Sequence, residues 1–262
     1  MRVSHCNTFL LSAVLIFGSV APTAHAQAVA AGMTSNSSDP KVQNDIVKAL
    51  KDKRFRGITV TVQDNEITLG GTVALAADKI KAELIARNQK NVSLLHNEIQ
   101  VEGDSVSDVE LRNKLSEKLA ADRIGYGTTA FNSITISVSN GGVTLGGTVY
   151  GPDDKASAMD LVSHYPGVRG VVDHIEVAPV SPFDDQIRVA VARAIYGFPS
   201  MQKYAVVPEK PIRIVVVNGK VTLYGVVDNQ ADKDTANIRA QGVANVFQVT
   251  NNLQVAGSHS EK

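Results

Sequence analysis

Apolar and polar positions along this chain follow one short pattern that runs three times. It opens with an amphipathic helix. In the first pass Val42, Ile46, Val47, Ala49 and Leu50 share a stripe, and Asp39-Pro40 supplies a cap and a first-turn proline. Val109, Leu111, Leu115 and Leu119 repeat the stripe after Ser107, and Ile187, Val191, Ala194 and Ile195 repeat it after Asp184. Period-two alternation comes next, in Ile58-Thr59-Val60-Thr61-Val62 and Ile134-Thr135-Ile136-Ser137-Val138. The third version, Ile212 to Val217, is more continuously apolar. Asp64-Asn65, Asn140-Gly141 and Asn218-Gly219 then predict tight hairpin turns, the last two strongly, because Asn and Gly accept positive φ. A second strand, a second helix and a closing strand complete each pass.

The strand after each turn carries the clearest repeat. Ile67-Thr68-Leu69-Gly70-Gly71-Thr72-Val73 returns as Val143-Thr144-Leu145-Gly146-Gly147-Thr148-Val149 and as Val221-Thr222-Leu223-Tyr224-Gly225-Val226-Val227, at offsets of 76 (67 to 143) and 78 (143 to 221). The same offsets superpose Asp78-Lys79, Asp154-Lys155 and Asp232-Lys233, then Ala82, Ala158 and Ala236, and the endings Ile99-Gln100-Val101, Ile175-Glu176-Val177 and Leu253-Gln254-Val255. A hairpin makes the first two strands antiparallel, and a crossover helix makes the closing strand parallel to the second. The expected fold class is α+β: three tandem α-β-β-α-β units, each a three-stranded mixed sheet with two helices on one face. The units are expected at residues 40–102, 105–178 and 182–255, with Gly103-Asp104-Ser105 and Ala178-Pro179-Val180-Ser181-Pro182 at the joints and a polar tail over 256–262. Units this small lie near the lower limit for independent folding, so packing of one on another is expected.

These residues resemble the BON domain. The resemblance rests on Val/Ile-Thr-Leu-x-Gly-x-Val, the helix after it, and a closing Gly-Val segment, shown best by Gly167 to Val177. Asn91-Val92 stands in the first repeat where Gly-Val is usual, and the third has about three extra residues between Gly242-Val243 and Leu253. It spans essentially residues 40–255. The resemblance implies a non-enzymatic envelope protein, linked to osmotic stress and phospholipid contact. It supplies no catalytic residue, and its lipid contacts have no motif that can be placed here residue by residue.

Residues 1–26 read as a cleaved signal peptide: Arg2, the apolar run Phe9 to Val20, and the Ala24-His25-Ala26 cleavage site. A 12-residue run makes a helix of about 18 Å, against roughly 30 Å of hydrocarbon, so an anchor is disfavoured. Residues 27–39 form a small, polar leader. With the resemblance, export implies a periplasmic location. Cys6, the only cysteine, falls within the signal segment, so no disulfide is expected.

Composition narrows the chemistry. The 262 residues hold 26 basic and 26 acidic side chains, no Trp and 5% aromatics, which argues against a nucleic-acid partner. His96, His164, His174 and His259 show no metal-ligand spacing, and no metal or cofactor is expected. No Gly-x-Ser-x-Gly elbow occurs, Asp153-Asp154 and Asp184-Asp185 read as helix-start acids, and the paired glycines lie within strands, where a bulge or a close helix approach explains them. An enzyme is not expected. Two surface candidates remain. Lys48, Lys51, Lys53, Arg54 and Arg56, opposed only by Asp52, make a basic cluster for an anionic phospholipid surface, with Phe55 placed to enter the headgroups. The competing reading is a solvated helix end whose cations offset the dipole. Tyr196, Phe198, Met201 and Tyr204 gather in one loop: exposed, they would dock an envelope protein in a chaperone-like role without lipid; folded back, they would cap the core.

Overall fold

The computed structural model describes residues 40–90, 92–103, 106–122, 129–206 and 211–257. The expected signal peptide and leader, residues 258–262 of the tail, Cys6 and His259 lie outside the described residues. The first unit comprises α1 (Pro40–Ala49), β1 (Ile58–Gln63), β2 (Glu66–Val73), α2 (Ala76–Arg87) and a closing strand in two pieces, β3 (Leu94–Asn97) and β4 (Gln100–Val101). The second comprises α3 (Asp108–Asp122), β5 (Ser133–Ser139), β6 (Gly142–Val149), α4 (Pro152–Ser163) and β7 (Gly170–Val177). The third comprises α5 (Pro182–Tyr196), the short α6 (Lys203–Val206), β8 (Arg213–Val217), β9 (Lys220–Val227), α7 (Gln230–Gln241) and β10 (Gln248–Val255).

The topology is the α+β arrangement expected. β1, β5 and β8 pair antiparallel with β2, β6 and β9, and the closing strands pair parallel on the other side. Glu66 faces Leu94, Gly142 faces Gly170 and Lys220 faces Gln248, so the closing register is identical in all three units. The hairpins turn through two residues with positive φ: 50° and 65° at Asp64 and Asn65, 51° and 76° at Asn140 and Gly141, 52° and 71° at Asn218 and Gly219. That geometry matches the right-handed twist of the flanking strands.

Each first helix buries a row at i, i+4 and i+8: Val42, Ile46 and Leu50; Leu111, Leu115 and Leu119; Ile187, Val191 and Ile195. The stripe is narrower than the sequence pattern, because Val47 and Val109 are 50% and 63% exposed. They lie off the row that meets the sheet. The second helices face the sheet with small pairs four apart, Ala82 and Ala86, then Ala236 and Ala240, which allows close helix–sheet approach.

The second glycine of each pair has a backbone cause, not a bulge or a helix approach, while the first lies closest to a threonine hydroxyl. A Cβ on Gly71 would lie 1.9 Å from the Gly57 carbonyl oxygen, and one on Gly147 2.0 Å from that of Ser133. Both have φ near 90°, a region that disfavours any side chain. The hairpin's first strand lies alongside, and the carbonyl of Gly57, Ser133 or Pro211 occupies the space that a side chain on Gly71, Gly147 or Gly225 would need.

The units touch. Ala76 of α2 is buried in the core of the second unit, and Phe131 packs against that of the third. Arg188 of α5 is buried, lies 4.9 Å from the Tyr150 ring, and donates to the Val216 carbonyl at 2.7 Å and to Asp185.

Candidate functional site

The basic cluster begins in the last turn of α1 and runs through a 3-10 turn, Lys53–Phe55, into β1. Asp52 caps that turn by accepting the Arg54 amide at 3.2 Å. The turn swings Phe55 inward, and its side chain is 4% exposed, within the first unit's core. Headgroup insertion by Phe55 is therefore corrected: the ring anchors the segment from beneath, a burial worth about 2–3 kcal/mol. Arg54 is half committed. Its guanidinium pairs with Asp52 at 3.2 Å, approaches Asp78 at 3.7 Å and lies 5.0 Å from the Phe55 ring. Lys48, Lys51, Lys53 and Arg56 are exposed and have no acidic partner among the described residues.

The aromatic loop of the third unit folds inward. Met201 is fully buried and Tyr204 is 4% exposed, so neither is available for docking, and both belong to the core. Tyr196 is half-buried; its hydroxyl donates to the Ile212 carbonyl, and burial raises its pKa well above the ordinary value. Phe198 stays 37% exposed with the Arg239 guanidinium 5.1 Å from its ring. The apolar residues turn inward because a sheet this small leaves its end open, and the 3-10 turn Pro199–Met201 followed by α6 closes it. The Tyr204 hydroxyl donates to Asp232 at 2.7 Å and accepts the Asp228 amide at 2.8 Å, while Lys203 pairs with Asp228 at 2.6 Å and Asp232 at 2.7 Å. Burial opposes ionisation of Asp232, but the hydrogen bonds from Lys203 and Tyr204 outweigh it and hold the carboxyl below the usual carboxylate range.

Several acids read as helix-start charges have a more specific task. Asp184 is buried and accepts the Asn218 and Gly219 amides at 2.9 and 2.8 Å, clamping the hairpin turn to α5. Asp108, which the sequence reading did not single out, does the same for Asn140 and Gly141, at 2.8 and 2.9 Å. Asp154 accepts a hydrogen bond from the Asn132 side-chain Nδ2 at 2.9 Å. Among the described residues no three His, Cys, Asp or Glu side chains converge as a metal site. A cavity of about 580 Å³ lies where the second and third units meet, walled by Tyr150, Pro152, Pro179 and Val180 and edged by Asp153, Asp185 and Arg188. No sequence signal marked it, since it exists only when two units pack.

Three α-β-β-α-β units on one repeated register define a tandem small-domain architecture. The BON domain family matches residues 38–103, 107–179 and 200–257, most of the chain, and the chain belongs to that family. An Anaplasma centrale protein described as "Uncharacterized protein in gshII 5'region" is 26% identical over 125 residues, 47% of this chain and 83% of that one. Two solved structures of CdsD, a structural protein of the type III secretion system of Chlamydia trachomatis, are also similar. One is 14% identical, covering 82% of this chain and 92% of that chain; the other, its C-terminal domain, is 15% identical, covering 81% and 96%. Both overlay with a TM-score of 0.24, which carries no functional argument. Among the described residues no helix is long and apolar enough to cross a membrane.

Proposed function

We propose that the protein is a non-enzymatic module of the bacterial envelope, exported to the periplasm, that holds to anionic phospholipid surfaces through the basic end of its first unit. The observation carrying this reading is the set Lys48, Lys51, Lys53 and Arg56: four exposed cations with no acidic partner among the described residues, on a segment pinned by the buried Phe55. At about 1 kcal/mol per basic residue close to an anionic surface, these four are worth about 4 kcal/mol, or roughly three decades in partition. Arg54 adds less, because Asp52 already neutralises it. Membership of the BON family supports the same direction.

The test is vesicle flotation of the exported chain beside a K51E/K53E/R56E variant. Loss of flotation in the variant, with an unchanged circular dichroism spectrum, is the expected result; undiminished flotation overturns the assignment. A second reading, a protein-binding envelope module without lipid, is favoured by the cavity at the joint of the second and third units. It predicts partner capture that is lost on Tyr150→Ala and indifferent to the basic cluster.

A further inference from the structure

Each closing strand is an edge of its sheet. Glu98, Glu102, Ala178 and Ala256 donate their amides inward, to Leu69, Val73, Val149 and Val227. Successive residues of a strand alternate the side to which N–H and C=O point. Ile99, Ile175 and Leu253 therefore turn both groups toward the open edge.

The first two units close that edge with side chains. Asn97 accepts the Ile99 amide at 3.3 Å, and Lys79 Nζ donates to the Ile99 carbonyl at 2.6 Å. Asp173 accepts the Ile175 amide at 2.9 Å, and Lys155 Nζ donates to the Ile175 carbonyl at 2.8 Å while pairing with Asp173 at 2.8 Å. The third unit lacks half of the plug. Asn251 accepts the Leu253 amide at 3.2 Å, but its own amide donates to the Lys233 carbonyl at 2.9 Å, and Lys233 makes no side-chain hydrogen bond to Leu253. A carboxylate is missing here. In the first unit Glu83 accepts the Asn97 side-chain amide at 2.8 Å and in the second Asp173 pairs with Lys155, whereas the matching positions of the third unit hold Asn237 and Asn251.

β10 is an unbroken eight-residue edge with no charge, Gln-Val-Thr-Asn-Asn-Leu-Gln-Val, whereas β7 carries Asp173, His174 and Glu176, and the first unit's closing edge is split into the short β3 and β4 around Glu98. Charges on an edge guard it against strand addition, and here they are absent. Phe247, 74% exposed, stands directly before it.

We infer that β10 is a docking edge whose occupant is the β10 of a second copy of this chain, running antiparallel so that two sheets become one. Two-fold pairing sets this stretch against itself, and being uncharged it brings no like charges together. A register centred on Asn251 directs the Val249 amide of one copy to the Leu253 carbonyl of the other. It also sets Phe247 of each copy against Val255 of the other, covering the exposed ring.

Sedimentation velocity on the exported chain over a concentration series is the test. The wild type is expected to show the mass of two chains. Asn251→Asp restores the carboxylate that Lys155 uses in the second unit, and Asn252→Lys puts a charge on the exposed face of the edge; each is expected to give the mass of one chain with an unchanged circular dichroism spectrum. A wild type monomeric at every concentration overturns the inference, whether or not it captures another protein, and so does a dimer that survives both substitutions.

Discussion

Gly147→Ala is the sharpest test of why the repeated motif carries its second glycine. The added Cβ would lie 2.0 Å from the Ser133 carbonyl oxygen, roughly 1.5 Å inside ordinary contact. The obstacle is backbone, so no rotamer relieves it, and the hairpin must separate at its paired end. Alanine at a φ of 94° also occupies a sparsely populated region. That strain is worth about 1–3 kcal/mol and the overpacking about as much again, so the loss is about 3–5 kcal/mol. A unit of this size holds on the order of 4–10 kcal/mol, so the second unit should lie near the edge of unfolding. Gly146→Ala is the control. Its Cβ would meet the Thr135 Oγ1 at 3.1 Å, a side chain that can rotate, and the cost should stay within about 1 kcal/mol. Urea unfolding followed by circular dichroism, with amide exchange to localise the loss, separates the two. Equal stability of the two variants would refute the backbone-contact explanation.

Three further outcomes follow from the same structure. Phe55→Ala should cost about 3–5 kcal/mol by opening the first unit's core, and it should weaken vesicle binding although every cation remains; unaltered urea stability would place the ring outside the core. The Asp232 carboxyl is held low by Lys203 and Tyr204, so its stabilising effect is full above the ordinary carboxylate range and is lost as pH falls through the lowered folded value. Asp232→Asn should therefore flatten the acid limb of the stability profile and cost about 1–3 kcal/mol at neutral pH, measured by thermal melts across acid pH; an unchanged acid limb contradicts it. Asn251→Asp should dissociate the chain pair formed through β10, as read by sedimentation.

Much of the fold was legible because local and long-range signals agreed. The constant offsets of Leu69, Leu145 and Leu223, the Asn-Gly turns and the helical stripes each named the same element, and the closing register repeats without a slip. What stayed hidden was direction. Phe55 sits among five cations in sequence, yet the Asp52-capped turn points it inward. For Met201 and Tyr204 an exposed patch and a cap on the core both stayed open, because composition records which residues are apolar and not which way a loop closes. The Asp-Lys pairs were visible in all three repeats, but their difference was not: Lys79 and Lys155 reach a carbonyl about twenty residues onward in the chain, and Lys233 does not. The cavity beside Tyr150 depends on contact between units, which no pattern within a unit encodes.

Attraction between the basic end of the first unit and an anionic bilayer is read from the salt dependence of vesicle partition. The protein would be floated with anionic and with zwitterionic vesicles from low to high salt. Binding to anionic vesicles alone is expected, falling steeply as screening shortens the reach of Lys48, Lys51, Lys53 and Arg56. Absence of binding at low salt, or binding to both vesicle types that ignores salt, would contradict it.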